Sequence, residues 1–149
     1  MELNANEMRQ RLDEMAERCR DMGLPVTPQR IAIYRALLQL DSHPDAEAIY
    51  EHVRGEIPNL SLATVYKNLE ALSKLGVIRE VTPLHETARF DANLDAHHHL
   101  VCTACKQVVD LYDEGLSKLK VADEHVLGFK VSRIRVQVEG LCPACAKKS

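Results

Sequence analysis

The sequence has no apolar run near the ~20 residues that cross a bilayer, so it offers no membrane-spanning helix. Its N-terminus, "MELNANEMRQRLDEMAERCRD", is charged throughout and lacks the apolar core of a signal peptide. The expectation is a cytoplasmic protein with no membrane partner. Basic charge is not in excess either: the net charge is -3 at pH 7, which does not single out a nucleic-acid binder. Residues 1–83 carry 10 Lys and Arg against 13 Asp and Glu, and the remainder carry nine of each. Only Arg18, Arg20, Arg30 and Arg35 form a locally basic cluster. Repeats, low-complexity tracts and a long linker are missing as well. What is there, 149 residues with 46% hydrophobic and 28% charged, suits a soluble chain of one ordinary domain or two small ones.

The first half reads as helices. A polar helix from about residue 4 to 22 is stopped by Gly23 and Pro25. Thr27 is an N-cap with Pro28 in the first helical position, and "SHPD" ends the helix they open. Asp45 caps a third helix to about Arg54, and Ser61 opens a fourth that Gly76 ends. In that fourth helix Leu62, Val65, Leu69 and Leu72 recur at three-four spacing as one buried stripe. Ala63, Thr64, Lys67, Ala71 and Lys74 lie on the opposite face, where small residues beside a lysine suit close approach to a phosphate backbone. "VIREV" and "ETARFD" then form a hairpin around "TPLH". Helices followed by a hairpin is the order of a winged helix-turn-helix, whose last helix enters the major groove. A generic small helical domain is the competing reading.

The second half reads mainly as strands: "HLVCTAC" and "QVVDLY" around a turn, a helix of about 15 residues from Asp113, then "FKVSRIRVQVEG" as a long alternating strand. The boundary between the halves is expected between Pro83 and Asp91, and the fold class is α+β.

Of five cysteines, four form two Cys-x-x-Cys pairs: Cys102 with Cys105, and Cys142 with Cys145. Cys19 stands alone and reads as a spare, half-buried thiol. In a reducing compartment the pairs are metal or redox candidates, not disulfides. Four thiolates suit a closed, tetrahedral structural Zn2+. The 36 residues between Cys105 and Cys142 must fold so as to bring the pairs together. A thioredoxin-like reading needs a pair that opens a helix in a βαβ setting, which neither promises. A zinc deaminase needs His-x-Glu, which "HHH" lacks.

Residues two apart on a strand share a face, so His97 and His99 point together and His98 points away. Asp91 and Asp110 flank them. Two imidazoles and two carboxylates make a harder donor set, suited to Fe2+ or Mn2+. The competing reading is a polar strand edge. Taken alone, His43 is a loop histidine, and His52, His85 and His125 are structural.

"TPQR", "HPDAEAIY", "LSLATVYKNLEALSKLG", "RFD", "HHHLVCTAC", "VVDL" and "LCPAC" follow one another in the order and spacing of the ferric uptake regulator family, which the chain resembles from about Gly23 to Cys145. The resemblance implies a dimeric bacterial transcriptional repressor and not an enzyme. Its winged helix-turn-helix domain, residues 1–84, would bind double-stranded DNA, and its small α/β domain, residues 91–149, would dimerise and hold metals, with a hinge about 84–91. It also implies structural zinc on the four paired cysteines and a DNA contact from Tyr66, which joins Ser61, Ala63, Thr64 and Lys67 as the candidate DNA-binding set. Peroxide sensors of the family carry three histidines and two aspartates at the regulatory site, matched here by His43, Asp91, His97, His99 and Asp110.

Iron sensors of the family typically have glutamate at the Asp91 and Asp110 positions. Zinc sensors usually add a cysteine, and none is spare here. Ala96 replaces a histidine of an accessory site, and "HVLGFKVS" also resembles the peroxide type. Lys67 departs from both patterns: peroxide sensors often have asparagine there and iron sensors arginine. The resemblance implies that peroxide reacting at bound Fe2+ oxidises His43 or His97, while Mn2+ holds the same geometry with little such chemistry. One metal joining both halves would set the separation of two recognition helices against half-sites ~34 Å apart. Two alternatives stay open: an iron-responsive repressor of iron uptake genes switched by reversible Fe2+ binding, and a metal-dependent enzyme using His97 and His99.

Overall fold

In the computed structural model, which describes residues 3–40, 43–81, 87–123 and 125–148, the first four helices begin where capping residues stand. Helix α1 spans Ala5–Asp21. The Asn4 side chain accepts from the Glu7 N–H while the Glu7 carboxylate accepts from the Asn4 N–H, a reciprocal capping box. Thr27 caps α2 (Pro28–Gln39), Asp45 caps α3 (Ala46–Val53) and Ser61 caps α4 (Leu62–Leu75). Gly76 ends α4 at φ 76°, a left-handed conformation in which any side chain is strained.

Strands β1 (Arg79–Val81) and β2 (Arg89–Asp91) pair antiparallel, with Arg79 opposite Asp91. The expected "TPLH" connection and His85 lie outside the described residues. Val65, Leu69 and Leu72 are buried as the three-four spacing requires, with Leu62 packed at the edge of the core. Ile33, Leu38, Ile49 and Val53 from α2 and α3 complete the packing, so the stripe fixes which face of α4 is left outward.

Much of the basic cluster is committed internally. Arg18 Nη1 donates to the Leu75 carbonyl at 2.8 Å. Arg30 donates to Asn68 Oδ1 at 3.1 Å and to the Pro25 carbonyl at 2.8 Å, and Arg35 pairs with Glu56. Pairing with β1 keeps Arg89–Asp91 in the first compact unit, Met1–Leu94, and the second runs Asp95–Ser149.

In the second unit, β3 (His98–Cys102) is the central strand. It pairs antiparallel with β4 (Val108–Leu111) and parallel with β7 (Gln137–Gly140). A separate small hairpin joins β5 (His125–Val126) to β6 (Phe129–Lys130). Its turn residues Leu127 and Gly128 both have positive φ, 52° and 85°, as a two-residue hairpin turn demands.

Two expectations are corrected here. The helix of about 15 residues from Asp113 is a single turn, α5 (Glu114–Ser117), capped by Asp113. Gly115 stands inside it, and Leu119 and Val121 beyond it are 50% and 42% exposed, so among the described residues no burial supports a longer helix. The long strand over residues 129–140 is two strands, β6 and β7, with different partners. Between them, Val136 donates its N–H to His98 Nδ1 at 3.1 Å instead of to a ladder. Alternation marks extended backbone without naming its neighbour. The last element is α6 (Pro143–Ala146).

Candidate metal centres

The parallel register of β3 and β7 gathers the cysteines. Cys102 lies opposite Gly140, and the Thr103 N–H donates to the Gly140 carbonyl at 2.8 Å. Two residues past Gly140 stands Cys142, the N-cap of α6, with Cys145 inside that helix. The second pair therefore does open a helix, though one of a single turn. Cys105 returns from the β3–β4 turn, where Lys106 takes φ 67°.

The four sulfurs lie within 4.8 Å of one another, and Cys105 Sγ is 3.8 Å from Cys142 Sγ. That is far beyond the ~2.05 Å of a disulfide. It matches the edge of about 3.8 Å of a tetrahedron with Zn–S bonds near 2.3 Å. The N–H groups of Cys105 and Cys142 point at Cys102 Sγ from 3.5 and 3.4 Å. They pull its thiol down to about 6, so this sulfur is a thiolate at neutral pH. Cys145 is pushed up to about 12, chiefly by its hydrogen bond to Cys142, and holds its proton until a cation displaces it. The donor set fits structural Zn2+, which these four residues would hold.

The harder donors assemble within each unit separately. In the first, His43 sits at φ 52° just before Pro44, an uncommon conformation for a residue other than glycine. The Pro44 carbonyl accepts from the Phe90 N–H at 3.0 Å, and Arg89 donates to the His43 carbonyl at 3.2 Å. Docking this loop on β2 brings His43 Nε2 to 3.8 Å from Asp91 Oδ2. Asp91 Oδ1 accepts from the Asn93 N–H at 2.8 Å, which leaves Oδ2 turned toward the imidazole.

In the second unit, antiparallel register sets His99 opposite Asp110, and strand alternation adds His97 to the same face. Asp110 Oδ1 lies 3.1 Å from His97 Nε2 and 3.7 Å from His99 Nε2, with the two rings edge to face at 4.8 Å. His97 Nδ1 is 2.6 Å from the Asp95 carbonyl, an oxygen that only accepts, so Nδ1 carries the proton. In a neutral ring, Nε2 then faces a carboxylate with a bare lone pair. A proton or a divalent metal ion between them satisfies both atoms. Donors ~2.1 Å from a common ion are held about 3.0–3.5 Å apart, close to the spacings here. Nitrogen and oxygen donors without sulfur fit Fe2+ or Mn2+.

His98 points away, as alternation requires: its Nδ1 takes the Val136 N–H and its Nε2 lies 3.4 Å from Ser117 Oγ. Sequence reasoning missed the Asp95 carbonyl, and it missed Tyr112, whose ring lies 5.6 Å from that of His97. It also missed Asn93, although the Asp-x-Asn spacing of an Asx turn was there to read. Cys19, read as half-buried, is wholly buried, with its thiol 3.6 Å from Met15 Sδ.

Of the DNA-binding candidates, Ser61, Ala63, Tyr66 and Lys67 are exposed and Thr64 is partly so, all on the first two turns of α4. Ser61 Oγ accepts the Thr64 N–H at 3.1 Å, which takes that donor away from any phosphate.

The ferric uptake regulator family's sequence model matches residues 21–139. The chain belongs to the ferric uptake regulator family. This regulator is metal-dependent and acts in transcription, as its relatives do. It is 39% identical over 137 residues to the peroxide operon regulator of Bacillus subtilis, covering 92% of this chain and 94% of that protein. Against the peroxide-responsive repressor PerR of Staphylococcus epidermidis it is 35% identical, over 92% and 91%. Its fold superposes on the Campylobacter jejuni peroxide stress regulator with a TM-score of 0.68 at 30% identity, covering 97% and 100%. On the Helicobacter pylori ferric uptake regulator the TM-score is 0.76 at 19% identity, with 93% of each chain covered, a likeness of fold alone. Among the described residues, no helix is long and apolar enough to cross a membrane.

Proposed function

We propose that this regulator is a peroxide-responsive repressor that binds operator DNA as a homodimer and is released when a histidine ligand is oxidised. The observation that carries this reading is the pair of sulfur-free donor groups, His43 with Asp91 in one unit and His97, His99 and Asp110 in the other. Neither group fills the coordination sphere of a divalent ion by itself. One ion shared by all five residues ties the winged-helix unit, residues 1–84 of the expected division, to the dimerisation unit that begins after the hinge. It thereby favours one arrangement of the two recognition helices over others already populated. Complete switching takes about 5.5 kcal/mol of differential metal affinity.

On α4, Tyr66 and Lys67 face outward to reach the DNA, while Ser61, Ala63 and Thr64 allow close approach of the backbone. His43, Asp91, His97, His99 and Asp110 would hold Fe2+, which would mediate electron transfer from an imidazole to peroxide and be restored at the end. In net terms, an imidazole C–H of His43 or His97 becomes a C–O bond and the second peroxide oxygen leaves as water. His97 is held for this by the Asp95 carbonyl on one nitrogen and Asp110 on the other side of its ring. An oxidised ring is a poor ligand, so the tie between the units is lost. The names of the curated relatives support peroxide as the signal.

The test loads zinc-replete protein with Fe2+ or Mn2+, adds mild peroxide, and follows operator binding and peptide masses. The Fe2+ form is expected to lose binding and gain one oxygen on the His43 or His97 peptide, while the Mn2+ form keeps binding. Equal sensitivity of the two forms rejects the reading.

A further inference from the structure

Helix α1 reaches into the first unit with one stripe of residues: Arg11, Met15 and Cys19 recur at four-residue steps, with Arg18 three residues after Met15. Met15 and Cys19 are wholly buried, and an arginine stands on either side of Met15. Both arginines end on backbone carbonyls. Arg18 donates to the Leu75 carbonyl, at the end of α4, and Arg11 Nη2 donates to the Ala92 carbonyl. The second bond concerns metal binding, because Ala92 directly follows Asp91.

Beyond Asp91 the chain leaves the β1–β2 ladder. Side-chain hydrogen bonds hold its path there. Arg11 holds the carbonyl of Ala92, Arg79 Nη2 donates to that of Leu94 at 3.0 Å, and the Asn93 N–H between them donates to Asp91 Oδ1. Asp91, Ala92 and Asn93 are all buried. A carboxylate ligand is useful only if its coordinating oxygen is aimed, and Oδ2 of Asp91 is turned toward the His43 imidazole because Oδ1 accepts from the Asn93 N–H. Asn93 in turn stays in place because the carbonyls on either side of its residue are held by two guanidinium groups.

We propose that Arg11, together with Arg79, is a positioning residue for the metal ligand Asp91, acting through the Asp91–Leu94 backbone. This rests on the reading of Asp91 as a regulatory ligand. Partners of this outer kind change metal affinity by ~10- to 100-fold when removed.

The experiment measures Mn2+ affinity by electron paramagnetic resonance on full-length, zinc-loaded protein, with zinc content and melting temperature as controls. Arg11→Ala is expected to weaken Mn2+ binding about tenfold while zinc content stays at the wild-type value. Arg11→Lys, which keeps one N–H donor for the carbonyl, is expected to recover part of the loss. Arg18→Ala removes the same kind of bond from the same helix but far along the chain from Asp91, and is expected to leave Mn2+ affinity unchanged. Asp91→Asn separates the two claims. If it binds Mn2+ like wild type, Asp91 is not a ligand and the functional reading fails with it. If Asp91→Asn loses Mn2+ and Arg11→Ala does not, only the positioning role is overturned. Equal weakening by Arg11→Ala and Arg18→Ala overturns it too, since that marks general destabilisation.

Discussion

The two units of this regulator solve the same problem by different means. The first buries a continuous apolar cluster running from Met15 to Ala92, with contributions from all four helices and the hairpin. In the second, the buried hydrophobic residues among those described are Val101, Cys102 and Val108. Leu127 and Phe129 are 93% and 74% exposed, and Leu119, Val109 and Leu141 are about half exposed. At ~25 cal/mol per Å2, burial on that small scale does not offset the entropy of ordering the second unit. The first unit is held by a core. The second is held by a thiolate cluster and, in our proposal, by a second copy of itself, so a metal can govern one part of the chain without governing the other.

The sharpest way to break this contrast is to remove the zinc ligands. Cys102→Ser is expected to abolish zinc binding and unfold the second unit, since structural zinc contributes on the order of 10 kcal/mol to domains of this kind. Limited proteolysis should then leave a stable fragment ending near Leu94, and loss of the whole chain would end the claim of independent stability. In the first unit the corresponding change is Leu69→Ala. It empties a fully packed site on α4 and is expected to cost about 2–5 kcal/mol in chemical denaturation, with zinc content unchanged.

Smaller in free energy, but informative about the exposed face, is the double change Leu127→Ser with Phe129→Ser. It is expected to leave zinc content intact and shift the protein from dimer to monomer in sedimentation; an unchanged dimer would place the interface elsewhere. Zinc affinity is expected to rise with pH by at least about one log unit per pH unit between pH 7 and 9. Cys145, pushed up to about 12, releases its proton only on binding, whereas Cys102, held near 6, is already ionised in that range. A flat profile in a competition assay contradicts this. Smallest is Ser61→Ala, which removes the α4 cap and is expected to cost about 1 kcal/mol of stability in the first unit.

The same contrast explains how far each unit was legible. Thr27, Asp45, Ser61 and Gly76 stop and start helices through bonds that reach three or four residues along the chain, so the first unit's elements could be read one residue at a time. Asp113 looks as good a cap as Asp45, yet the helix it opens ends after one turn, because what decides a helix's length is burial of its apolar side. The regulatory donors show the limit from the other direction. His97, His99 and Asp110 are legible from strand alternation, but His43 reads as an ordinary loop histidine by local rules. Its approach to Asp91 comes from the Pro44–Phe90 hydrogen bond, which no local pattern announces.

By itself, the amino-acid order determined the ends of the first four helices, the buried stripe of α4, the two cysteine pairs and the shared face of His97 and His99. All of these depend on the 3.6- and 2-residue periods of the backbone and on contacts a few residues long. Tertiary structure alone decided that β3 takes β7 as a parallel partner and so closes the thiolate cluster, that most of the basic cluster is consumed by carbonyls and carboxylates, and that Arg11 ends beside Asp91. Those outcomes join residues tens of positions apart. Their energy lies in which surfaces meet, and a linear pattern carries no record of that.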